Sequence, residues 1–336
     1  MSIEHPFAKY VRILGKGKQG SRSLTAEEAY DAMAMILRNE VMDVQLGAFL
    51  MLLRVKEETD AELYGFIRAA KDFIKQSITR PLLNDLDWPS YSGKHKHLPW
   101  YLLSAILLSQ HKISVFMHGA SGHTEGRLYT ENVLQHLGIT PCESVDQARQ
   151  KIASEHFSYL PLRAFCPKLH DIIDLRNTMG LRSPVHTMAR LLNPSNAKHV
   201  LLGIFHPSYR PVHQDAALAL GYSNISVFKG EAGEVERKPD ARCLVQRVVR
   251  DSIGEAKKID QEWPPLMDLR QDKESELKVQ TLVDVWQGKI SHTYGENAII
   301  GTTAIALQNL GKADTIEQSL ALASELWQQR ELKLFS

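Results

Sequence analysis

Cysteine is scarce in this sequence, with only Cys142, Cys166 and Cys243 among 336 residues. These three are far apart and form no C-x-x-C pair, so neither a disulfide framework nor a zinc ribbon is indicated. The longest apolar run, near residues 99–109, is too short to span a bilayer, and the first residues, MSIEHPFAKYVR, lack the apolar core of a signal peptide. We therefore expect a cytoplasmic protein with no membrane partner.

An excess of charge of one sign is also missing. Lys and Arg number 40 against 39 Asp and Glu, which gives a formal net charge of +1. A protein that is basic over its whole surface is thereby excluded, and any polyanion would have to meet basic residues sorted onto one face. The length allows two domains with a sizeable core.

Residues 1–78 carry helical patterns only. Thr25 and Glu28 form a capping box ahead of AYDAMAMILRN, in which apolar residues recur at spacings of three and four. Residues 163–194 form a second, mostly helical segment, which we expect to return to the same domain. The helical domain is therefore predicted to comprise residues 1–78 and about 163–194.

The remaining segments, 79–162 and 195–336, alternate short β-rich runs with helical patterns. Such alternation predicts βαβ units, and hence a larger α/β domain with a mainly parallel sheet beside the small all-helical amino-terminal domain. In such sheets ligands bind beyond the carboxyl ends of the strands. Three loops are predicted to meet there: YSGKHKH (91–97), MHGASGH (117–123) and FKGEAGE (228–234).

The run GKGKQG at residues 15–20 matches the spacing G-x-G-x-x-G. A dinucleotide site would need a strand before this run, whereas the preceding AKYVRIL has a helical pattern. We therefore interpret the run as part of a flexible loop with Lys16, Lys18 and Arg22, which either is simply solvated or contacts phosphates.

Six segments occur in an order and spacing that resemble anthranilate phosphoribosyltransferase and its nucleoside-phosphorylase-like relatives in glycosyltransferase family 3. They are QLGAFLMLLRVKEET (45–59), HFSYLPLRAFCPKLH (156–170), LRNTMGLRS (175–183), LLNP (191–194), LLGIF (201–205) and GKADTIEQSLALA (311–323). The resemblance covers almost the whole chain. It implies phosphoribosyl pyrophosphate bound in a cleft between a helical and an α/β domain, and a homodimer formed through the helical domain.

The catalytic motifs of that family are altered. The family's GTGGD loop corresponds here to Tyr91-Ser92-Gly93-Lys94-His95, and its KHGN motif corresponds to Met117-His118-Gly119-Ala120. Phosphate oxygens must approach backbone N–H groups closely, which glycines allow and side chains obstruct. We therefore expect little of the family's reaction in this chain.

The acidic pair that helps bind magnesium in the family corresponds to Val235-Glu236, so Glu236 would be a metal ligand only if the chain is a transferase. Glu231 and Glu234 are nearby substitutes, although neither occupies the matching position. Arg176 matches the arginine that contacts the carboxylate of anthranilate in the family. An ion pair within the helical domain explains Arg176 equally well.

Altered motifs on a retained fold resemble the nucleic-acid-binding paralogues of this family. The leading interpretation is a homodimer that binds DNA or RNA without sequence preference and requires no cofactor. The alternative is an active anthranilate-type phosphoribosyltransferase that uses phosphoribosyl pyrophosphate, magnesium and a small aromatic carboxylate. No catalytic residue is assigned. The predicted phosphate-contacting residues are Lys16, Lys18, Arg22, Ser92, Gly93, Lys94, His95, Lys96, His118, Gly119, Arg176, Arg182 and Arg190.

Overall fold

The computed structural model describes residues 4–251 and 253–335. Four helices form its amino-terminal part: α1 (Ala8–Gly15), α2 (Ala26–Leu37), α3 (Asp43–Lys56) and α4 (Asp60–Ser77). The predicted capping box begins α2, because the Thr25 hydroxyl accepts from the N–H of Glu28 while the Glu28 carboxylate accepts from the N–H of Thr25. The helical character predicted for this part is confirmed.

Ten further α-helices follow along the described chain. They are α5 (Tyr101–Gln110), α6 (Thr130–His136), α7 (Val145–Glu155), α8 (Pro167–Asp174), α9 (Arg176–Met179), α10 (Val185–Met188), α11 (Tyr209–Ala219), α12 (Gln280–Trp286), α13 (Thr293–Asn309) and α14 (Ile316–Gln328). The segment that carries α8 to α10 contacts the amino-terminal helices, since the ammonium of Lys71 in α4 donates to the carbonyl oxygens of Leu192 and Asn193 at 3.3 Å each. The domain boundaries themselves stay a prediction.

Seven strands of the described chain form one sheet in the order β3-β2-β1-β4-β5-β6-β7. Their bounds are β1 (Leu86–Ser90), β2 (Val115–Gly119), β3 (Phe157–Pro161), β4 (His199–Ile204), β5 (Asn224–Lys229), β6 (Cys243–Arg250) and β7 (Ala256–Trp263). The pairs from β3 to β5 are parallel, and β6 and β7 extend the sheet in antiparallel fashion. The predicted fold class, a small helical domain with a larger and mainly parallel α/β domain, is confirmed.

Helices bury the sheet on both faces. Successive side chains of a strand point to opposite faces, and in β2 Phe116 packs into one apolar cluster while Val115 and Met117 pack into another. The first cluster includes α2, α4 and α8, and the second includes α5 and α13. Residues 101–109 of α5 are all buried, which explains the apolar run in the sequence.

β7 forms one outer edge of the sheet, and Lys257 and Lys258 are exposed on it. Within residues 4–251 and 253–335, no helix combines the length and apolar character that crossing a membrane requires.

Candidate functional site

The loop that follows β1 holds a carboxylate of the protein itself. The backbone N–H groups of Ser92 and Gly93 both donate to Oε1 of Glu234, at 2.6 Å each. Gly93 has a φ of +69°, which suits glycine, and Glu234 is fully buried. Adjacent backbone N–H groups in such a turn form an anion site. Here a side chain from the loop after β5 fills it.

Lys94 and Glu236 form a buried ion pair beside this site. Both side chains are 0% exposed, and the Lys94 ammonium contacts Oε1 of Glu236. The other Glu236 oxygen accepts from the N–H of Tyr101 at 2.9 Å. Burial raises the pKa of Glu236, and the charge of Lys94 opposes that shift. Lys94 was expected to contact phosphate, but its ammonium is engaged with Glu236 inside the protein and is not free to meet a phosphate backbone.

The contacts of Glu234 and Glu236 determine whether these residues could bind magnesium. Both oxygens of Glu236 are engaged within the protein, Glu234 accepts from backbone N–H groups, and the position between them is the apolar Val235. No group of three or more His, Cys, Asp or Glu side chains arranged for a metal ion occurs among the residues that the structure describes. Magnesium prefers several hard oxygen ligands, so these residues do not fit it, and the metal role considered for Glu236 is not supported.

His118 and Gly119 serve packing at the end of β2. The His118 ring is fully buried between the hydroxyl of Tyr91, 2.8 Å from Nδ1, and the carboxylate of Asp87, 3.2 Å from Nε2. A Cβ on Gly119 would lie 2.0 Å from the carbonyl oxygen of Ser90, so only glycine fits this close approach. The His118 ring is therefore not free to meet a phosphate, and the contact expected from Gly119 stays a prediction.

His95 and Lys96 lie outward on the loop after β1. Lys96 is exposed and His95 is half-buried. Burial lowers the pKa of His95, and the positive charges of Arg127 and Lys96 lower it further. This end of the loop is therefore a positively charged environment.

Four arginines gather around this loop, and the charges of three of them act on the fourth, Arg182. We call them the arginine cluster: Arg127, Arg176, Arg182 and Arg190. Three of them were expected from the sequence, and Arg127 was missed. Arg127 stands alone in a glycine-containing loop, TEGRLYT, so no local pattern marks it. The fold alone brings it to the site.

Carbonyl oxygens hold the arginine cluster in place. Arg127 donates to those of Ser92 and Gly93 at 3.0 Å each, and Arg176 donates to that of His123 at 2.9 Å. Arg182 reaches the Ser92 carbonyl oxygen at 3.4 Å.

Carboxylates compensate little of this charge. Among the described residues, no member of the cluster is within ion-pair distance of an Asp or Glu side chain. Glu234 offsets part of the charge of Arg127 and Arg190 from a greater distance. One carboxylate among four guanidinium groups leaves the site positively charged.

The surrounding pKa values respond to this charge. Burial, with the charges of Arg127 and Arg190, lowers the pKa of Arg182 to about 10. Burial, with the charges of Arg182 and Arg176, lowers the pKa of His123 to about 3. A site that resists further positive charge in this way is one that an anion would stabilise.

Arg190 and Ser92 are both buried and contact each other. Arg190 is 7% exposed, and its guanidinium donates to the Gly203 and Gly233 carbonyl oxygens and to the Ser92 hydroxyl. The structure corrects the direct phosphate contact expected from Arg190. This residue adds charge to the cluster from within the protein and ties the loops after β1 and β5 to the end of β4.

The loop after α1 is exposed, as the sequence suggests. Lys16 and Lys18 lie on its surface. Arg22 forms a double hydrogen bond with the carboxylate of Glu28, at 2.6 and 2.7 Å. The charge of Arg22 is thus compensated locally, so of the three only Lys16 and Lys18 stay in the predicted phosphate-contacting set.

Two family models match the chain. Residues 9–74 match the helical bundle domain of a glycosyl transferase family, and residues 101–329 match its α/β domain. The uncharacterised protein YbiB of Escherichia coli is 32% identical over 70% of this chain and 74% of its own length. Anthranilate phosphoribosyltransferase of Saccharolobus islandicus is 28% identical over 70% of this chain and 67% of its own length.

Solved structures share the fold over nearly the whole chain. Anthranilate phosphoribosyltransferase from Thermus thermophilus has a TM-score of 0.73 and 20% identity, and the match covers 99% of both chains. The enzyme from Saccharomyces cerevisiae, in complex with phosphoribosyl pyrophosphate and magnesium, has a TM-score of 0.74 and 16% identity over 99% of this chain and 97% of its own. The family resemblance seen in the sequence is confirmed: this chain belongs to the glycosyl transferase family in which a helical bundle is joined to an α/β domain.

Proposed function

We propose that the protein binds nucleic acid, DNA or RNA, without sequence preference. The observation that carries this proposal is the arginine cluster, in which four guanidinium groups gather beside the loop after β1 with carbonyl partners in place of carboxylates. A strand of phosphates would supply the missing negative charge. Contacts of this kind neutralise the backbone and carry no sequence information.

The exposed part of the proposed interface extends beyond the cluster. The charges of Lys96 and Arg127 both act on His95 in the loop after β1, and Lys16 and Lys18 lie on the helical part. A near-neutral chain can present a basic face when its charges are sorted onto one side, and we propose that these residues share such a face. We propose that the phosphate backbone contacts Arg127, Arg176, Arg182, Lys96, Lys16 and Lys18.

Two internal contacts argue against efficient phosphoribosyl transfer. Glu234 accepts from the N–H groups of Ser92 and Gly93, which an incoming phosphate would need. Lys94 and Tyr101 together engage both oxygens of Glu236. Losing one charge-stabilising group in an active site typically lowers the rate about 10²–10³-fold, so the combined change would leave little activity.

The alternative function is that of an anthranilate-type phosphoribosyltransferase. The family of the chain favours it, as does the shared fold with an enzyme solved in complex with phosphoribosyl pyrophosphate and magnesium. In this case Arg176 would orient a small aromatic carboxylate. We rank this function second because Val235 is apolar and both oxygens of Glu236 are engaged within the protein, so these two residues do not fit magnesium.

We further propose that the protein is a homodimer formed through its helical domain. Met42 and Val44, at the start of α3, are 57% and 74% exposed. Apolar side chains left open together on one part of a surface are typical of an interface. Light scattering at several protein concentrations, with Val44→Lys as the disrupting variant, tests this assembly. A monomer at every concentration would contradict it.

A salt titration tests nucleic-acid binding. Affinity for a fluorescent single strand and for a duplex is measured by anisotropy from low to physiological salt. With about six phosphate contacts, log affinity for a duplex should fall with log salt at a slope of about −5. Duplexes of unrelated sequence should bind alike. Absence of binding at low salt, or a slope near zero, would count against the proposal.

A transfer assay tests the alternative. The protein is incubated with phosphoribosyl pyrophosphate, magnesium and anthranilate, and the loss of anthranilate fluorescence is followed. Turnover of about 1 s⁻¹ or more, within the ordinary range for enzymes, would reverse the ranking of the two functions.

A further inference from the structure

A cavity borders the arginine cluster on the side of α10. It has a volume of about 120 Å³ and is partly open to solvent. The end of α3, the segment around α10, the end of β4 and the start of α11 line it. Its lining residues are Arg54, Arg182, Ser183, His186, Thr187, Arg190, Ile204, Phe205, His206, Tyr209 and His213.

Three arginines line this cavity, and the buried carboxylate of Glu58 offsets part of the charge of one of them, Arg54. Arg54, Arg182 and Arg190 line it, and within the described chain none of them is within ion-pair distance of a carboxylate. Arg54 is exposed, so its guanidinium is available to a ligand that enters from solvent. This charge favours an anion with the geometry of a phosphate.

Two buried histidines line the cavity, and one of them adds a second and independent feature. His186 and His213 are 4% and 1% exposed. Nδ1 of His186 is 3.2 Å from the Ser183 carbonyl oxygen, and Nδ1 of His213 is 2.7 Å from that of Tyr209. A carbonyl oxygen only accepts, so Nδ1 of His186 carries the proton and its Nε2 is an acceptor.

Nε2 of His186 has no hydrogen-bond partner among the described residues, although it is buried. His213, in contrast, also interacts with the backbone of Thr187. Burial lowers the pKa of His213 to about 4 and lowers that of His186 as well, so both rings are neutral near pH 7. Buried polar atoms in folded proteins normally have partners. A ligand with hydroxyl or amino hydrogens would supply them here.

The rim of the cavity offers an aromatic surface. Phe205 is 50% exposed although it follows a buried strand directly. The ring of His206 packs edge-on against it, with centroids 4.8 Å apart. A large exposed aromatic ring beside cationic groups is suited to stacking with a planar base.

We infer that this cavity binds a nucleoside monophosphate, with the phosphate on Arg54 and Arg182, hydroxyl or amino hydrogens directed to His186, and the base against Phe205. Each of the three chemical parts of such a ligand has a counterpart in the lining. Inorganic phosphate would contact only the arginines of the cavity, and a nucleoside would lack the negative charge of the phosphate.

Isothermal titration with AMP, adenosine, ribose 5-phosphate and inorganic phosphate tests the inference. AMP should bind with a dissociation constant below about 1 mM and more tightly than each of the other three. Arg54→Ala should weaken AMP binding about tenfold, and Phe205→Ala should weaken it about fivefold. Both residues are exposed, so the two variants are expected to fold.

Matched controls are available for both variants. Arg80→Ala and Leu269→Ala alter exposed residues outside the cavity and should leave AMP binding unchanged. The inference is overturned if AMP does not bind, if any of the other three compounds binds as tightly as AMP, or if Arg54→Ala or Phe205→Ala binds AMP like the unaltered protein.

This inference goes beyond the proposed function and can fail separately from it. A variant that combines Lys16→Ala, Lys18→Ala and Lys96→Ala removes proposed nucleic-acid contacts that do not line the cavity. This variant should bind a nucleic-acid strand more weakly than the unaltered protein does, and it should bind AMP with unchanged affinity. Equal weakening of both would show that AMP binds at the nucleic-acid interface and would overturn the separate site.

Discussion

Lys94 points into the protein onto Glu236, and the two side chains form an ion pair from which solvent is excluded. Lys96, only two residues later, is exposed. The two lysines belong to one basic run in the sequence, yet the fold separates their roles. The Lys94 ammonium stabilises a buried carboxylate that would otherwise be isolated. Lys96 keeps its charge at the surface, where a phosphate can reach it.

Replacing Lys94 by Met should therefore lower stability. An unpaired charge would be left at Glu236, which typically costs about 3–5 kcal/mol of unfolding free energy. Urea denaturation followed by circular dichroism measures this change. The double variant Lys94→Met, Glu236→Gln should recover part of the loss, because it leaves no buried charge.

The matched control is Lys96→Ala. This change should weaken nucleic-acid binding and alter the unfolding free energy by less than about 0.5 kcal/mol, as expected of a surface residue. If Lys94→Met is as stable as Lys96→Ala, the buried ion pair has been assigned the wrong role.

Replacing Glu234 by Ala should increase affinity for anions. The change frees the N–H groups of Ser92 and Gly93 and removes the carboxylate that interacts with Arg127 and Arg190. A gain of about 1 kcal/mol, or about fivefold tighter binding of pyrophosphate and of a single strand at low salt, is expected.

The control for this change is Glu231→Ala. It removes a negative charge from the same loop without altering a bond to these N–H groups, so it should produce a smaller gain. Unchanged or weaker binding by a folded Glu234→Ala protein would contradict the expectation.

Arg127→Ala and Arg176→Ala should each reduce the salt dependence of binding. Each lost phosphate contact lowers the slope of log affinity against log salt by about 0.9 for a duplex. The loss should be the same for duplexes of different sequence. Arg242→Ala, at an exposed ion pair with Glu262 on the β6–β7 hairpin, should leave the slope unchanged. A loss that depends on sequence would instead indicate that the arginines contact bases.

The lowered pKa of His213 should make the protein less stable in mild acid than at neutral pH. The His213 pKa, about 4 in the folded protein, lies below the usual value of about 6.5, so the unfolded chain takes up a proton first as the pH falls. The contribution to stability is complete above about pH 6.5 and is lost as the pH falls toward 4.

Urea denaturation at pH 7 and pH 5 measures this effect. His213→Gln should reduce the drop in unfolding free energy between the two pH values by about 2 kcal/mol, whatever its effect at pH 7. His206→Gln, at an exposed position, should not change the drop. An unaltered drop in His213→Gln would show that other groups cause the acid sensitivity.

The strands with clear apolar runs were predictable, and β1 was not. Its sequence, LDWPS, contains Pro89, which has no N–H to donate. β1 nevertheless lies in the interior of the sheet between β2 and β4. Its pairing with β4 covers only Leu86 and Asp87, so the missing N–H of Pro89 lies beyond that ladder. The β6–β7 hairpin was missed too, since β7 is mostly exposed and polar and lacks the pattern of a buried strand.

The candidate site was predictable only in its location. The three loops meet as expected, but the partners of single side chains depend on residues far away in the chain. Lys94 and Glu236 are 142 positions apart, and no local pattern shows that one neutralises the other. Arg22, whose partner Glu28 is six residues away, could have been recognised as compensated. Charge alone therefore does not distinguish an ammonium that meets a ligand from one that meets a carboxylate.

The lysines on β7 have a consequence for how the protein behaves when concentrated. An open strand edge can pair with the edge of another molecule and start aggregation, and charged side chains on that edge oppose the pairing. Lys257 and Lys258 lie on the exposed part of β7. The Lys258 ammonium contacts the carboxylate of Asp215, whereas Lys257 is exposed. When many copies are crowded together, the cost of stripping water from the Lys257 ammonium would keep two such edges from joining.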